Sequence, residues 1–214
     1  LEHMLSPHNL NFLVYNDTLI EEHITGIPGD EFIEHMLPNC TESEKSQIAK
    51  EFVKFNERCM IRLLGDMRSY NYVIVPTHDF DHVVYSIRAI DFDQQSYEGK
   101  FNVYRPQFFK ENFKMVDLVS EKFEKMSINQ YKLEERSIVA KRLMSYKNRV
   151  ERLIKSMIAD TISTPDHETL LKTKIFEYTN DPEFLKSKNM GEILKNALGY
   201  VKKNYQTENT DILF

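Results

Sequence analysis

The sequence predicts an α+β fold that is mainly α: a helical bundle carrying two β-hairpins near its amino end. Three observations lead there. Paired runs of β-prone residues lie at 12–24 and 71–90, each pair broken by turn chemistry. A capped apolar periodicity of three and four runs from Thr41 to about Leu64. From about residue 106 the chain reads as helix, interrupted only by Ser/Thr/Asp and proline punctuation. With 214 residues, 41% hydrophobic and 29% charged, the chain is long and apolar enough for one good core, or for two small subdomains sharing one.

Taken in order, "LEHM" (1–4) reads as a cloning junction and is set aside from fold reasoning. Phe12 to Tyr15 and Thr18 to Ile24 flank Asn16-Asp17, which is hairpin chemistry. "TGIPGDEF" (25–32) reads as a linker, because Gly26, Pro28 and Gly29 break the pattern. Thr41 with Glu44 three residues on is a capping box; Ile48, Phe52, Phe55, Cys59 and Leu63 then recur on one face, giving a helix over 42–64. "NYVIVP" (71–76) and "HVVYSIRAI" (82–90) form the second hairpin, with the acidic "THDFD" as its turn. His78, Asp79, Asp81 and His82 there read as an exposed polar tip rather than a metal site, since they lie in a turn and not on helices. An irregular segment follows, in which the aromatic run 101–113 packs into the core and Arg105 is a candidate phosphate contact. The remaining helices are expected at about 106–125, 128–159, 166–179 and 190–206.

Composition excludes several classes. A net charge of -5 and pI near 5.8 argue against a general nucleic-acid binder, whose affinity rests on phosphate neutralisation. No apolar run approaches the roughly 18–20 residues of a membrane span, so no membrane partner is expected and the location is cytoplasmic by default. Cys40 and Cys59 are too few and too far apart for a disulfide framework or a zinc site, and read as reduced, partly buried thiols. One basic stretch stands out: Lys141, Arg142, Lys147, Arg149, Arg152 and Lys155 alternate with apolar residues at helical spacing. It reads as a solvated helix face or as a surface for an anionic ligand.

The chemistry concentrates in "LLGDMRSYN" (63–71) and "AIDFD" (89–93). Antiparallel pairing of the second hairpin returns the chain to its start, so Asn71 and Asp91 finish side by side with Asp66 in the preceding loop. Two carboxylates and an amide on one mouth suit phosphoryl transfer. One carboxylate orients an acceptor hydroxyl and takes its proton; the other, with the amide oxygen, offers hard ligands to Mg²⁺ on nucleotide phosphates. Asp93 is a further candidate ligand.

On these residues the chain resembles the protein-kinase-like superfamily. "LGDMRSYN" is similar to its catalytic loop, with Asp66 and Asn71 at the interval of the HRDxxxxN pattern, and "IDFD" (90–93) to its metal-binding DFG. The Gly-Asp step and the acid after Phe92 are closest to the aminoglycoside and choline phosphotransferase branch. The resemblance implies Asp66 as catalytic base, Asn71, Asp91 and Asp93 as metal residues, and Glu22, His23 and Ile24 as the hinge that meets adenine. It implies ATP and Mg²⁺ as cofactors. The corresponding division is 1–4 tag remnant, 5–27 remnant of amino-lobe strands and hinge, 28–105 catalytic part of the carboxyl lobe, and 106–214 its helical part. The six glycines form no phosphate-loop cluster and no strand lysine precedes the hinge. The expected fold is therefore a kinase-like carboxyl lobe with a remnant amino-lobe hairpin and a catalytic-loop hairpin. The expected function is transfer of phosphate from ATP to an unidentified hydroxyl acceptor, in a fragment inactive alone and completed by an amino lobe or partner chain. The alternative is a non-catalytic binding module for a protein or anionic ligand.

Overall fold

A computed structural model describes residues 1–79 and 82–205. A short helix α1 (Glu2–Leu5) precedes a hairpin of β1 (Phe12–Tyr15) and β2 (Thr18–Glu21), turned at Asn16 with φ 50°. Strand β3 (Ile27–Pro28) and helix α2 (Gly29–Glu31) follow, and α2 runs on through a π turn and a 3-10 turn to Asn39. The long α3 (Glu42–Arg62) leads to a second hairpin, β4 (Tyr72–Asp79) and β5 (His82–Ala89). Then come α4 (Phe113–Lys122), α5 (Lys125–Ser145), α6 (Lys147–Ala159), α7 (Pro165–Thr179) and α8 (Met190–Asn204). The α+β, mainly α class is thus as expected. No helix among the described residues is long and apolar enough to cross a membrane.

Four local expectations need correction. The segment read as a linker contains β3, which pairs antiparallel with β4 (Ile27 opposite Ile74) and makes a three-stranded sheet of order β3-β4-β5. Thr77 to Asp79 are strand rather than turn, since the ladder continues to Asp79 opposite His82; the rest of the expected polar tip, Phe80 and Asp81, lies outside the described residues. The helix expected from 106 begins only at Phe113, because Arg105 and Phe109 take extended backbone and break the chain into 3-10 turns. The expected 128–159 helix divides at Tyr146, where φ −100° and ψ 18° interrupt the helical run, with the guanidinium groups of Arg142 and Arg149 against the ring. The residues set aside at the amino end are packed: Met4 is buried, and Glu2 pairs with the buried Arg62.

Helix α3 is central because it serves two apolar clusters. Ile48, Phe52, Phe55 and Cys59 pack beneath β4 and β5 (Tyr72, Ile74, Ile87) and against Met115 and Val119 of α4. Its end, Ile61 with Leu63, joins a second cluster with Val139, Leu171, Ile193 and Leu194 of α5, α7 and α8. Its start is fixed by the predicted capping box: Glu44 N donates to Thr41 Oγ1 (3.3 Å), and Thr41 N donates to Glu44 Oε2 (2.8 Å).

The helix also carries buried charge. Arg58, 1% exposed, donates to Glu51 (2.6 Å) and to Ile87 O of β5 (3.1 Å), and lies 3.3 Å from Glu135 of α5. Burial disfavours the Glu51 carboxylate, yet Arg58 outweighs it and holds its pKa down to about 2. Glu135 shifts upward, because burial prevails over Arg58 and the nearby Glu51 adds repulsion. A second buried pair, Arg136 to Glu57 (2.5 Å), joins α5 to α3 lower down.

Replacing Arg58 by methionine leaves the buried Glu135 and the partly buried Glu51 without their guanidinium partner and is expected to destabilise the fold by about 3–5 kcal/mol in denaturant titrations. Glu51 contributes stability that is fully present above its ordinary pKa of 4.5 and is lost as pH falls toward about 2. Glu51→Gln should therefore flatten the acid limb of a stability–pH profile between those values, while Glu135→Gln should not.

Candidate functional site

The chain leaves α3 through two left-handed residues, Leu63 (φ 51°) and Asp66 (φ 55°). Aspartate tolerates that region; a leucine there costs about 1–2 kcal/mol, and burial of its side chain holds it in place. Between them Gly65 is required by close approach, since a Cβ would meet Gln94 O at 3.0 Å and Val103 Cγ1 at 2.9 Å. The loop is stitched on both sides: Gly65 N donates to Gln94 O (3.2 Å), Ser96 N to Leu63 O (2.8 Å) and Asp66 N to Val103 O (3.1 Å). Buried Asn112 braces it from below, donating to Met67 O (2.9 Å) and accepting from Tyr72 Oη (2.9 Å). Thus the Gly-Asp step is where the end of α3 is clamped against the segment that follows β5.

That clamp brings the predicted acids together. Asn71 Nδ2 donates to the Asp66 carbonyl (2.7 Å), which leaves the amide oxygen as the atom for a cation. Ile90 N donates to Asn71 O (3.1 Å), so the strand ends meet where the pairing register requires, with Tyr72 opposite Ala89. Asp91 Oδ1 accepts from Asp93 N (3.1 Å), a side-chain turn that folds the two acids toward one another. Desolvation and the charges of Asp91 and Asp66 raise the pKa of Asp93, although Asp93 itself is exposed. Asp93 therefore lies in the field of both other carboxylates. Among the described residues no group of three or more His, Cys, Asp or Glu side chains is placed to hold a metal ion by itself.

Two participants were not foreseen. Arg68 Nε donates to Asp66 Oδ1 (2.8 Å), and its Nη1 donates to Glu111 (3.0 Å) while the guanidinium lies over the Phe109 ring. The local signal for Arg68 was its place two residues after Asp66; Glu111 lies 43 positions further along and had none. Arg105, by contrast, is no phosphate contact: it is buried among the rings of Phe101, Phe108 and Tyr178.

The expected hinge residues border the same region. A cleft of about 300 Å³ is lined by Glu22, His23, Ile24, Val73, Ile90 and Phe92 among others. The side chain of Glu22 is occupied, accepting from Asn11 N (3.1 Å) and Asn11 Nδ2 (2.8 Å); His23 is exposed; Ile24 is buried with Leu10 and Val73. Ile90 and Phe92, the sequence neighbours of Asp91, are among the lining residues, and Asp91 itself is not. Comparison of the chain with protein-family models, with curated proteins and with solved structures finds no match.

Asp93→Asn removes one of three repelling charges and keeps a donor for Asp91. Because the folded-state pKa of Asp93 is raised above 3.8, the penalty exists only where Asp93 is ionised. Thermal melts of the variant should shift upward at pH 7 and coincide with the parent near pH 3.

Proposed function

We propose that this chain is the nucleotide- and metal-bearing part of a kinase-like phosphotransferase. The observation that carries the reading is the shared cleft: Glu22, His23 and Ile24 line, together with Ile90 and Phe92, a space of about 300 Å³, and Asp91 lies between the latter two in sequence. A flat apolar base suits such a space, with Ile24, Val73 and Ile90 against its faces and the hinge backbone at its edge. The phosphates would then extend toward Asp91, Asp93 and Asn71.

The donor set supports a hard cation. Two carboxylates and an amide oxygen are oxygen ligands of the kind Mg²⁺ prefers. Their mutual repulsion, seen in the raised pKa of Asp93, is what a divalent ion would relieve. The set is only half a coordination shell, and phosphate oxygens complete such shells. Mg²⁺, when bound, would supply neutralisation of phosphate charge. On the protein side, Asp66 sits in the loop beyond and serves as the base that orients an acceptor hydroxyl and receives its proton. Arg68 holds that carboxylate in place and sets a positive charge beside it.

The first hairpin supports the expectation of a completing lobe. Phe12, Leu13, Val14, Tyr15, Leu19 and Ile20 are all more than half exposed, on both faces of an isolated two-stranded sheet. Two strands alone are marginal in water, and an apolar pair of this kind is stable when a further sheet covers it. Since β2 leads directly into the cleft residues, such a covering lobe would roof the nucleotide site.

Mg²⁺ with ATP is expected to raise the melting temperature, and neither should do so alone. A ligand at a hundred times its Kd adds about 2.7 kcal/mol to the native state. The shift should vanish in Asp91→Ala and persist in Asp66→Asn, whose role lies in transfer rather than binding. An equal shift in Asp91→Ala would refute the assignment.

A further inference from the structure

The basic stretch at 141–157 takes no part in the cleft. The break at Tyr146 divides its charges. Arg142 is turned to the amino-terminal segment, donating to Met4 O (3.0 Å) and Asn9 Oδ1 (3.0 Å). Lys147 and Lys155 of α6 instead stand over a groove shared with α8, opposite Lys195 and Lys202. The groove measures about 530 Å³, and among the described residues its only acidic lining residue is Glu151. Its floor is apolar, with Val150, Ile154 and Leu198. All four lysines are exposed, and none forms an ion pair among the described residues. In a chain of net charge -5 this is a local excess of positive charge along an apolar channel.

The two glycines of α8 sharpen the point because they are opposite cases. Gly191 is explained within the fold: a Cβ there would lie 2.6 Å from Ile158 N, so the start of α8 presses against the end of α6. Gly199 lines the groove, and a Cβ there would meet no described atom within 4 Å. A glycine inside a helix weakens it relative to alanine. With no neighbour to demand it, Gly199 leaves the helix backbone open to close approach from outside. Close packing of a third helix against α6 and α8 uses such an opening.

We infer that the α6–α8 groove is the docking site for an acidic amphipathic helix of a partner polypeptide. Its apolar stripe lies on Val150, Ile154 and Leu198, its backbone passes close over Gly199, and its flanking carboxylates meet the four lysines. Charge complementarity selects this occupant over a basic peptide. The proposal is independent of the nucleotide cleft.

The test uses the full chain and a fluorescein-labelled synthetic helix of about 16 residues, with leucines at helical spacing between glutamates, and its twin with lysines in place of glutamates. Fluorescence anisotropy should show saturable binding of the acidic peptide, at least about tenfold tighter than of the basic one and weakened by added salt. Lys195→Glu combined with Lys202→Glu should reverse that preference. Gly199→Ala should raise the melting temperature and yet weaken the peptide by about tenfold, a pairing of effects that a purely structural glycine would not give. Equal binding of both peptides overturns the proposal. So does binding only by a chain ended at Tyr205, which would assign the groove to the chain's own last residues. A concentration-dependent dimer in sedimentation that Lys195→Glu disrupts would assign it to a second copy, and binding of anionic vesicles in preference to the peptide would assign it to a membrane surface.

Discussion

A guanidinium group sealed in a protein interior has to be neutralised from several directions at once, and at Arg58 this requirement organises the chain. Its partners come from its own helix (Glu51), from α5 (Glu135) and from the backbone of β5 (Ile87). Satisfying them fixes how α3 lies against the hairpin above and the bundle beside it. Apolar packing alone tolerates sliding of one helix along another; a buried charge with three partners does not. The Arg136–Glu57 pair repeats the constraint further down the same two helices.

The acidic region depends on that placement. Once α3 and β5 are fixed, the end of one and the exit of the other arrive together, and the bonds from Gly65, Ser96 and Ile90 lock them. Carboxylates that repel one another are held close because the backbone beneath them is satisfied. Left-handed backbone at Leu63 and Ser96 marks the strain of the arrangement.

The surface divides into two contrasting parts. The β1–β2 hairpin presents apolar residues on both faces above the cleft, a surface suited to another sheet. The α6–α8 groove presents an apolar floor within a positive rim, a surface suited to an acidic helix. The first adjoins the cleft lined by Glu21 to Ile24, and the second lies on the helical bundle.

Sequence alone determined what depends on neighbours within a few residues. The turn at Asn16-Asp17, the capping box at Thr41 and Glu44, the hydrophobic stripe of α3 and the hairpin of β4 and β5 are all written in local spacing. So was the meeting of the two strand ends, where Ile90 N donates to Asn71 O, because strand pairing follows from the alternation of the strands themselves. Tertiary structure alone decided the rest: that Ile27 and Pro28 join a sheet, that the helix breaks at Tyr146, that Glu111 reaches Arg68, and that Arg105 is enclosed by aromatic rings. These outcomes depend on contacts between residues far apart in the chain, whose energy appears only once the backbone has brought them together and excluded water between them.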